Sequence, residues 1–311
     1  MSTPKSKDSP SALALTAAKG FCMGAADVVP GVSGGTMAFI LGIYQRLLEA
    51  IRAFDLTAAR LALTFKLREL IDRVDLVFLL ALGLGIGSAL LFFTRVVPLP
   101  TLIRTHPEHI YALFFGLIAG SIVILVRELG RLSANDWIAI VAGALVGFAV
   151  INMVPFETPE ASWFVFVAGA LAISAMILPG VSGSFILLLL QKYAYIFDAI
   201  GRFDFSIIIP FGLGCATGLL LFSRILAWLL RHFYRATLVT IIGILVASLW
   251  RIWPFQDRQY VVVRDKERLM ASFPEIPCQF ADTEIAALGL AFLGLVAVLM
   301  LQFIATRKRA P

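Results

Sequence analysis

Two copies of one short motif contain the groups of this chain that are best suited to binding an anion. The first copy, V-V-P-G-V-S-G-G, occupies residues 28–35, and the second, I-L-P-G-V-S-G-S, occupies residues 177–184. Proline ends one helical arm, glycine permits close approach of the backbone, and serine can cap the next helix. That next helix begins with free N–H groups and a positive dipole end, which form an anion site, most often for phosphate. Both motifs therefore predict phosphate binding.

The predicted ligands are the small residues at the end of each motif, where the next helix starts. They are Ser33, Gly34, Gly35 and Thr36 in the first copy, and Ser182, Gly183 and Ser184 in the second. The predicted helix breaks are Pro30, Gly31, Pro179 and Gly180. A tight turn that only lets helices pack closely is the alternative interpretation. Duplication together with the hydroxyl groups favours binding.

Three charged residues next to apolar sequence are further candidates. Arg95 and Arg224 each end a long uncharged stretch, where a guanidinium can attract an anionic headgroup or anchor a helix end in the interface. Asp27 precedes the first motif, whereas Met176 takes the matching place before the second. An acid at membrane depth is costly unless it is paired or protonated, so Asp27 is predicted to bind a coupling ion, H⁺ or Na⁺. The alternative for Asp27 is a helix cap or an interfacial residue.

The composition is that of an all-α polytopic membrane protein. Hydrophobic residues make up 60% of the chain, charged residues 15%, and the mean hydropathy is +0.92. The net charge of +6 lies in loops between apolar segments, so it indicates membrane orientation and not a nucleic-acid partner. Three cysteines without a C-x-x-C pair and three histidines indicate no metal centre, and no cofactor is expected. Apolar stretches of about membrane length lie at 76–94, 110–126, 137–156, 161–190, 205–223 and 285–306, with a shorter one at 236–250.

The motif repeat belongs to a duplication of nearly the whole chain. Residues 28–51 align without gaps with residues 177–200 at an offset of 149, and residues 82–95 align with residues 211–224 at an offset of 129. We therefore predict two membrane repeats, at 11–154 and 155–306, between a polar N-terminal tail at 1–10 and a basic C-terminal tail at 307–311.

Length and loop charge predict the topology. The apolar runs that follow the motifs, at 36–44 and 185–190, reach only about half-way through a hydrocarbon core of about 30 Å. Lysines and arginines flank the first motif on both sides, which places both flanks in the cytoplasm and makes the segment a re-entrant hairpin. Each repeat then has one hairpin and three spans. The prediction is an inverted-topology repeat of about six transmembrane helices and two re-entrant hairpins, with both termini cytoplasmic and a site between the halves.

The run G-A-A-D-V-V-P-G-V-S-G-G-T at residues 24–36, together with the second motif, resembles the bacterial PopT-type polyprenyl-phosphate transporters. The likeness covers nearly the whole chain. It implies a secondary transporter (flippase) of the bacterial cytoplasmic membrane. The implied substrate is undecaprenyl phosphate, the carrier lipid for cell-wall and surface glycans, recycled from the outer to the cytoplasmic leaflet.

Two other functions are compatible with parts of the pattern. Undecaprenyl-diphosphate phosphatases also combine inverted repeats with a P-G-x-S-R-S type motif, but here Gly34 takes the place of the arginine and no paired glutamates precede the motif. Without the arginine and the glutamates, no side chain is evident that would stabilise the charge of the transition state or transfer a proton, so no enzyme is predicted. A transporter of a small water-soluble anion would need a closed polar pathway. The scarcity of charges in the apolar segments argues against such a pathway.

Overall fold

The described part of the chain is helical apart from one β-hairpin. A computed structural model describes residues 9–28, 33–97, 102, 105–153, 158–263, 266–275, 277 and 282–307. Within these residues the helices are α1 (Pro10–Val28), α2 (Gly34–Ile40), α3 (Tyr44–Arg52), α4 (Leu56–Leu63), α5 (Leu67–Arg73), α6 (Leu76–Arg95), α7 (Pro107–Leu129), α8 (Ala134–Ile151), α9 (Ser162–Ile177), α10 (Gly183–Leu189), α11 (Tyr193–Arg202), α12 (Phe205–His232), α13 (Tyr234–Arg251) and α14 (Asp282–Arg307).

Six helices in the described part of the chain are long and apolar enough to cross a membrane. They are α6, α7, α8, α12, α13 and α14. Large apolar side chains on them point outwards, such as Leu84 at 74% exposure and Phe292 at 69%, as expected of surfaces that face lipid and not water. The predicted polytopic helical membrane protein with about six transmembrane helices is confirmed.

A β-hairpin lies in the loop between α13 and α14, a feature that the sequence analysis did not predict. Strand β1 (Gln256–Val263) pairs antiparallel with β2 (Lys266–Pro274), with a register irregularity between Gln259 and Tyr260. Charged residues are frequent in this segment, so its β-branched run V-V-V did not stand out as a strand signal. The hairpin is an addition to the helical fold and does not change its class.

The chain divides into two compact units. The first comprises Met1–Val97 and Asn152–Ile241, and the second comprises Pro98–Ile151 and Ile242–Pro311. Each unit thus takes one part from each predicted repeat. The repeat boundaries at 11–154 and 155–306 themselves stay a prediction.

In the first unit, the long helix before each motif packs against the first membrane-length helix after that motif, and the two pairs of helices make matching contacts. Gly85 of α6 lies against the carbonyl of Ala17 in α1, and Gly214 of α12 lies against the carbonyl of Phe166 in α9. Gly85 and Gly214 match at the offset of 129, and their two partners match at the offset of 149. The absence of a side chain lets the two helix backbones approach closely, as is usual for membrane helices.

In the second unit, matched glycines also lie at close helix contacts, here between helices of the two different predicted repeats. Gly116 of α7 packs on the carbonyl of Ala291 in α14, and Gly243 of α13 packs on the carbonyl of Ile140 in α8. Gly116 and Gly243 are themselves related by the duplication. The glycine repeat in the sequence therefore corresponds to a repeat of helix contacts.

Candidate functional site

Hairpin 1, formed by α1 and α2, contains the first motif. The carboxylate of Asp27 accepts a hydrogen bond from Gly34 N–H at 2.7 Å, and Ser33 Oγ accepts one from Gly35 N–H at 3.2 Å. The carbonyl of Ser33 accepts the N–H of Thr36 at 3.0 Å. The first N–H groups of α2 are therefore bonded to the chain itself, and a carboxylate takes the place where the sequence predicts an external anion.

Lys19 closes the other end of α2. Its ammonium donates a hydrogen bond to the carbonyl of Leu41, the residue after α2, at 2.8 Å. Helix α1 thus presents an acid, Asp27, to the positive end of the α2 dipole and a cation to its negative end. These contacts also show that α1 and α2 run antiparallel. The helix-cap interpretation of Asp27 describes this geometry.

Hairpin 2, formed by α9 and α10, has a matching closure at its far end. Thr158 Oγ1 donates to the carbonyl of Leu190 at 2.6 Å, and Lys192 Nζ donates to the carbonyl of Thr158 at 2.8 Å. Leu190 corresponds to Leu41 in the duplication. Lys192 is only 3% exposed, and its ammonium lies 5.5 Å from the ring centroid of Tyr195. Sequence analysis did not identify Lys192 as part of the motif region.

The start of α10 differs from that of α2. Ser182 occupies the cap position without a side-chain cap bond, and its hydroxyl instead bonds to that of Ser184 at 2.8 Å. Ser184 is exposed, whereas Gly183 is buried. Because Met176 stands where hairpin 1 has an acid, no described carboxylate closes this helix end. The second motif therefore keeps its hydroxyl groups accessible.

The two motifs contact each other inside the first unit. Gly180 N–H donates to Thr36 Oγ1 at 2.9 Å, and Tyr44 OH donates to the carbonyl of Ile177 at 2.9 Å. Both bonds are buried, and Gly180 has φ +90°, a left-handed conformation that favours glycine. Tyr44, which the duplication matches with Tyr193, begins α3 and thus bonds to the end of α9 in hairpin 2.

A close backbone contact reinforces this junction. Ser33 Oγ donates to the carbonyl of Met176 at 3.4 Å, and a methyl group at Gly35 would lie 2.7 Å from the same oxygen. Ser33 is 2% exposed and Thr36 is 1% exposed. The polar groups of the first motif are therefore engaged with the second motif. Only glycine fits at position 35, whereas the equivalent Ser184 is free to carry a side chain.

The remaining predicted site residues lie in different surroundings. Pro30 and Gly31 lie outside the described residues, and Pro179 is buried beside Gly180. Arg224 lies two turns before the end of α12 and donates to the carbonyl of Phe54 at 3.3 Å. Its counterpart Arg95 is the last residue of α6 and is exposed. The described residues contain no cluster of three or more His, Cys, Asp or Glu side chains that could hold a metal ion.

A multi-pass helical membrane protein whose two duplicated helix breaks lie in contact is typical of a membrane transporter. The chain belongs to the VCA0040-like family, described as undecaprenyl phosphate translocase-like, whose model matches residues 23–270. The resemblance drawn from the motifs is therefore confirmed.

Two relatives carry the same functional name. The chain is 39% identical over 239 residues to a polyprenyl-phosphate transporter of Vibrio cholerae serotype O1, covering 77% of each chain. It is 30% identical over 256 residues to a polyprenyl-phosphate transporter of Staphylococcus aureus, covering 76% of this chain and 84% of that one. No solved structure matches. Because the matching family and both relatives are transporters, they support the transporter function over the phosphatase alternative.

Proposed function

We propose that this protein is a secondary transporter that moves a polyprenyl phosphate between the leaflets of the bacterial cytoplasmic membrane, with undecaprenyl phosphate as the substrate. Family membership and the names of both relatives support the substrate class. The observation that carries the proposal is that each motif-containing segment bonds to the other, through Gly180 to Thr36, which directly follows the first motif, and through Tyr44 to Ile177. Two half-helices that meet inside the apolar region can hold a polar headgroup while an isoprenoid tail stays in lipid.

The course of α12 supports the insertion of the two hairpins from opposite membrane sides. Gly214 and Gly218 pack in register on Phe166 and Ala170 of α9, so α12 runs parallel to that arm of hairpin 2. Further along, Arg224 reaches the backbone just beyond α3, which follows hairpin 1. A helix that starts beside one hairpin thus ends beside the segment after the other. This arrangement agrees with an inverted repeat.

The phosphate is held first by the second motif. Ser182 and Ser184 offer two hydroxyl donors about one hydrogen bond apart, next to the small Gly183. Hydrogen bonds to a charged group contribute about 1.5–3 kcal/mol each, so two hydroxyls make a useful headgroup contact. When the motifs separate, the corresponding groups at 33–36 become available in the same way. The two motifs then contact the headgroup in turn.

A coupling ion acts through Asp27 in this proposal. Its carboxylate accepts the N–H of Gly34 and so holds the start of α2 closed. A proton on this carboxylate would remove the charge that favours the positive end of the α2 dipole, and Na⁺ would compete for the same oxygens. Either ion would loosen the first motif and favour its separation from the second.

The decisive experiment measures leaflet accessibility of undecaprenyl phosphate in proteoliposomes over time, with and without an imposed pH or sodium gradient. The wild-type protein should move the lipid without loss of phosphate. The double variant Ser182→Ala/Ser184→Ala should slow the movement at least about tenfold, since it removes two bonds to the headgroup. The matched control is Ser88→Ala, a helical serine that bonds to its own helix at Gly85 O. Absence of lipid movement together with uptake of free phosphate would instead favour a transporter of water-soluble anions.

A further inference from the structure

A groove beside the C-terminal half of α12 gathers arginines from separate parts of the chain. It has a volume of about 680 Å³ and is open on one side. Its lining combines the end of α3, the start of α4 and the last two turns of α12: Arg52, Asp55, Arg224, Ile225, Trp228 and Arg231. The groove does not include either motif, and sequence analysis singled out only Arg224 among its residues.

The acid in this lining is already neutralised from outside the groove. Arg73 donates to both carboxylate oxygens of Asp55, the shorter contact being 2.6 Å, and Ala58 N–H donates to it at 2.9 Å. The hydrogen bond from Arg73 lowers the pKa of Asp55, so this carboxylate is ionised and committed to that partner. Three positive charges therefore remain in the groove.

None of the three arginines is paired with a carboxylate of the described residues. Arg224 donates to the carbonyl of Phe54 at 3.3 Å, and Arg231 donates to the carbonyl of Ala227 at 3.2 Å. Arg52 makes no hydrogen bond or ion pair within the described part of the chain. Guanidinium groups that share a groove repel each other unless an anion lies between them. Their planar forks match a phosphate group, which can accept two parallel N–H bonds from each.

The apolar side of the groove indicates that the anion is attached to a lipid. Ile225 and Trp228 are 46% and 49% exposed on a helix that crosses the membrane, so their side chains face hydrocarbon next to the arginines. A tryptophan near the end of a membrane helix is typical of the interface, where headgroups lie. The phosphate can therefore lie among the arginines while the first isoprene units lie on Ile225 and Trp228. A volume of 680 Å³ suits a ligand of that size.

We infer that this groove is a second headgroup site of the transporter, which binds the phosphate monoester of the polyprenyl lipid where α12 ends. The positive residues around it, including Arg235 and the basic segment 52–73, place this end on the cytoplasmic side. The groove is then the docking site on that side, and the motifs are the transfer site. The inference takes the identity of the lipid from the proposed function, whereas the arginine-dependent binding of a phosphate monoester can be tested without transport.

The test uses the purified full chain carrying Ser182→Ala/Ser184→Ala, which removes the proposed motif site, in detergent micelles with native mass spectrometry. The probes are farnesyl phosphate, farnesol and inorganic phosphate. Arg52→Gln and Arg231→Gln should each weaken farnesyl phosphate binding at least about tenfold, because each removes charge-assisted bonds. Arg231→Lys keeps the charge without the planar fork and should give an intermediate loss. Arg60→Gln is the matched control, since Arg60 is an exposed arginine on the neighbouring α4 and lies outside the groove.

The outcomes separate this inference from the proposed function. Arginine-dependent binding of farnesyl phosphate, with weaker binding of inorganic phosphate and none of farnesol, supports the site even if leaflet transport fails. Equal binding of inorganic phosphate and farnesyl phosphate would overturn the lipid assignment. Wild-type affinity for farnesyl phosphate in Arg52→Gln, Arg231→Gln and Arg231→Lys would overturn the site, while leaving transport through the motifs untouched.

Discussion

Gly35→Ala tests whether the contact between the two motifs holds the first unit together. In the wild-type structure, a methyl group at this position would lie 2.7 Å from Met176 O and 2.9 Å from Ile177 O. Both oxygens belong to backbone, so no flexible side chain can swing away. The end of α9 must therefore move back by about 0.7 Å, from 2.7 Å to the 3.4 Å at which ordinary van der Waals contact begins. That movement also draws the carbonyl of Ile177 away from Tyr44 OH.

The magnitude follows from three contributions. Inserting a methyl group into a packed contact costs about 1–3 kcal/mol. Weakening the buried Tyr44 hydrogen bond adds about 0.5–1.5 kcal/mol. Replacing glycine by alanine in a helix returns about 0.5–1 kcal/mol. We therefore expect the free energy of unfolding to fall by about 0.5–4 kcal/mol, with a matching loss of lipid transport.

The measurement is equilibrium unfolding of the full chain in mixed micelles, combined with the leaflet assay. Gly87→Ala is the matched control, because nothing lies within 4 Å of a methyl group at this glycine of α6. The control should leave stability unchanged or raise it by about 0.5–1 kcal/mol, the helix propensity gain. Equal stability of Gly35→Ala and Gly87→Ala would refute the argument that the motifs are in close contact.

Three further predictions concern groups around the motifs and the first loop. Asp27→Ala should lower the free energy of unfolding by about 1–3 kcal/mol, because it leaves the buried N–H of Gly34 without an acceptor. Asp72→Ala, on the exposed face of α5, is the control and should have little effect in the same denaturation assay. Tyr44→Phe should cost about 1–2 kcal/mol and impair transport, because it leaves a buried carbonyl of hairpin 2 unpaired; retained wild-type stability would show that this bond is dispensable. The hydrogen bond from Arg73 lowers the pKa of Asp55 in the folded protein. The ionised Asp55 therefore stabilises the fold above about pH 4, and this stabilisation is lost as the pH falls through the pKa of Asp55 in the folded state. Arg73→Gln should remove this part of the acid sensitivity of the thermal unfolding midpoint.

The helical framework could be predicted because it depends on local properties of the chain. Uncharged runs of membrane length, such as those that became α6 and α12, must satisfy their backbone groups within one helix. Gly85 and Gly214, which the duplication matches, both lie at close contacts between helices. The β-hairpin escaped prediction because its strands are stabilised by pairing between segments that each look like polar loop.

The candidate site could be predicted only in part. The sequence indicated that both motifs break helices and carry hydroxyl groups, and it marked Asp27 as unmatched by Met176. It treated the two motifs as equal anion sites, with Gly34 and Gly183 in equivalent roles. Whether the two motifs are equal depends on which of their N–H groups are free to bind a ligand. A local sequence pattern does not show which N–H groups are already bonded within the protein.

The sequence by itself thus determined the duplication, the helix breaks and the membrane-length helices, because each depends on residues close together in the chain. Only the tertiary structure decided that Asp27 closes the start of α2, because the antiparallel return of the chain brings its carboxylate to Gly34. Only the tertiary structure, too, brought Arg52 of α3 beside Arg224 and Arg231 of α12. Contacts across more than a hundred residues arise from packing of whole helices, and that packing is set by shape and burial beyond the reach of any short sequence pattern.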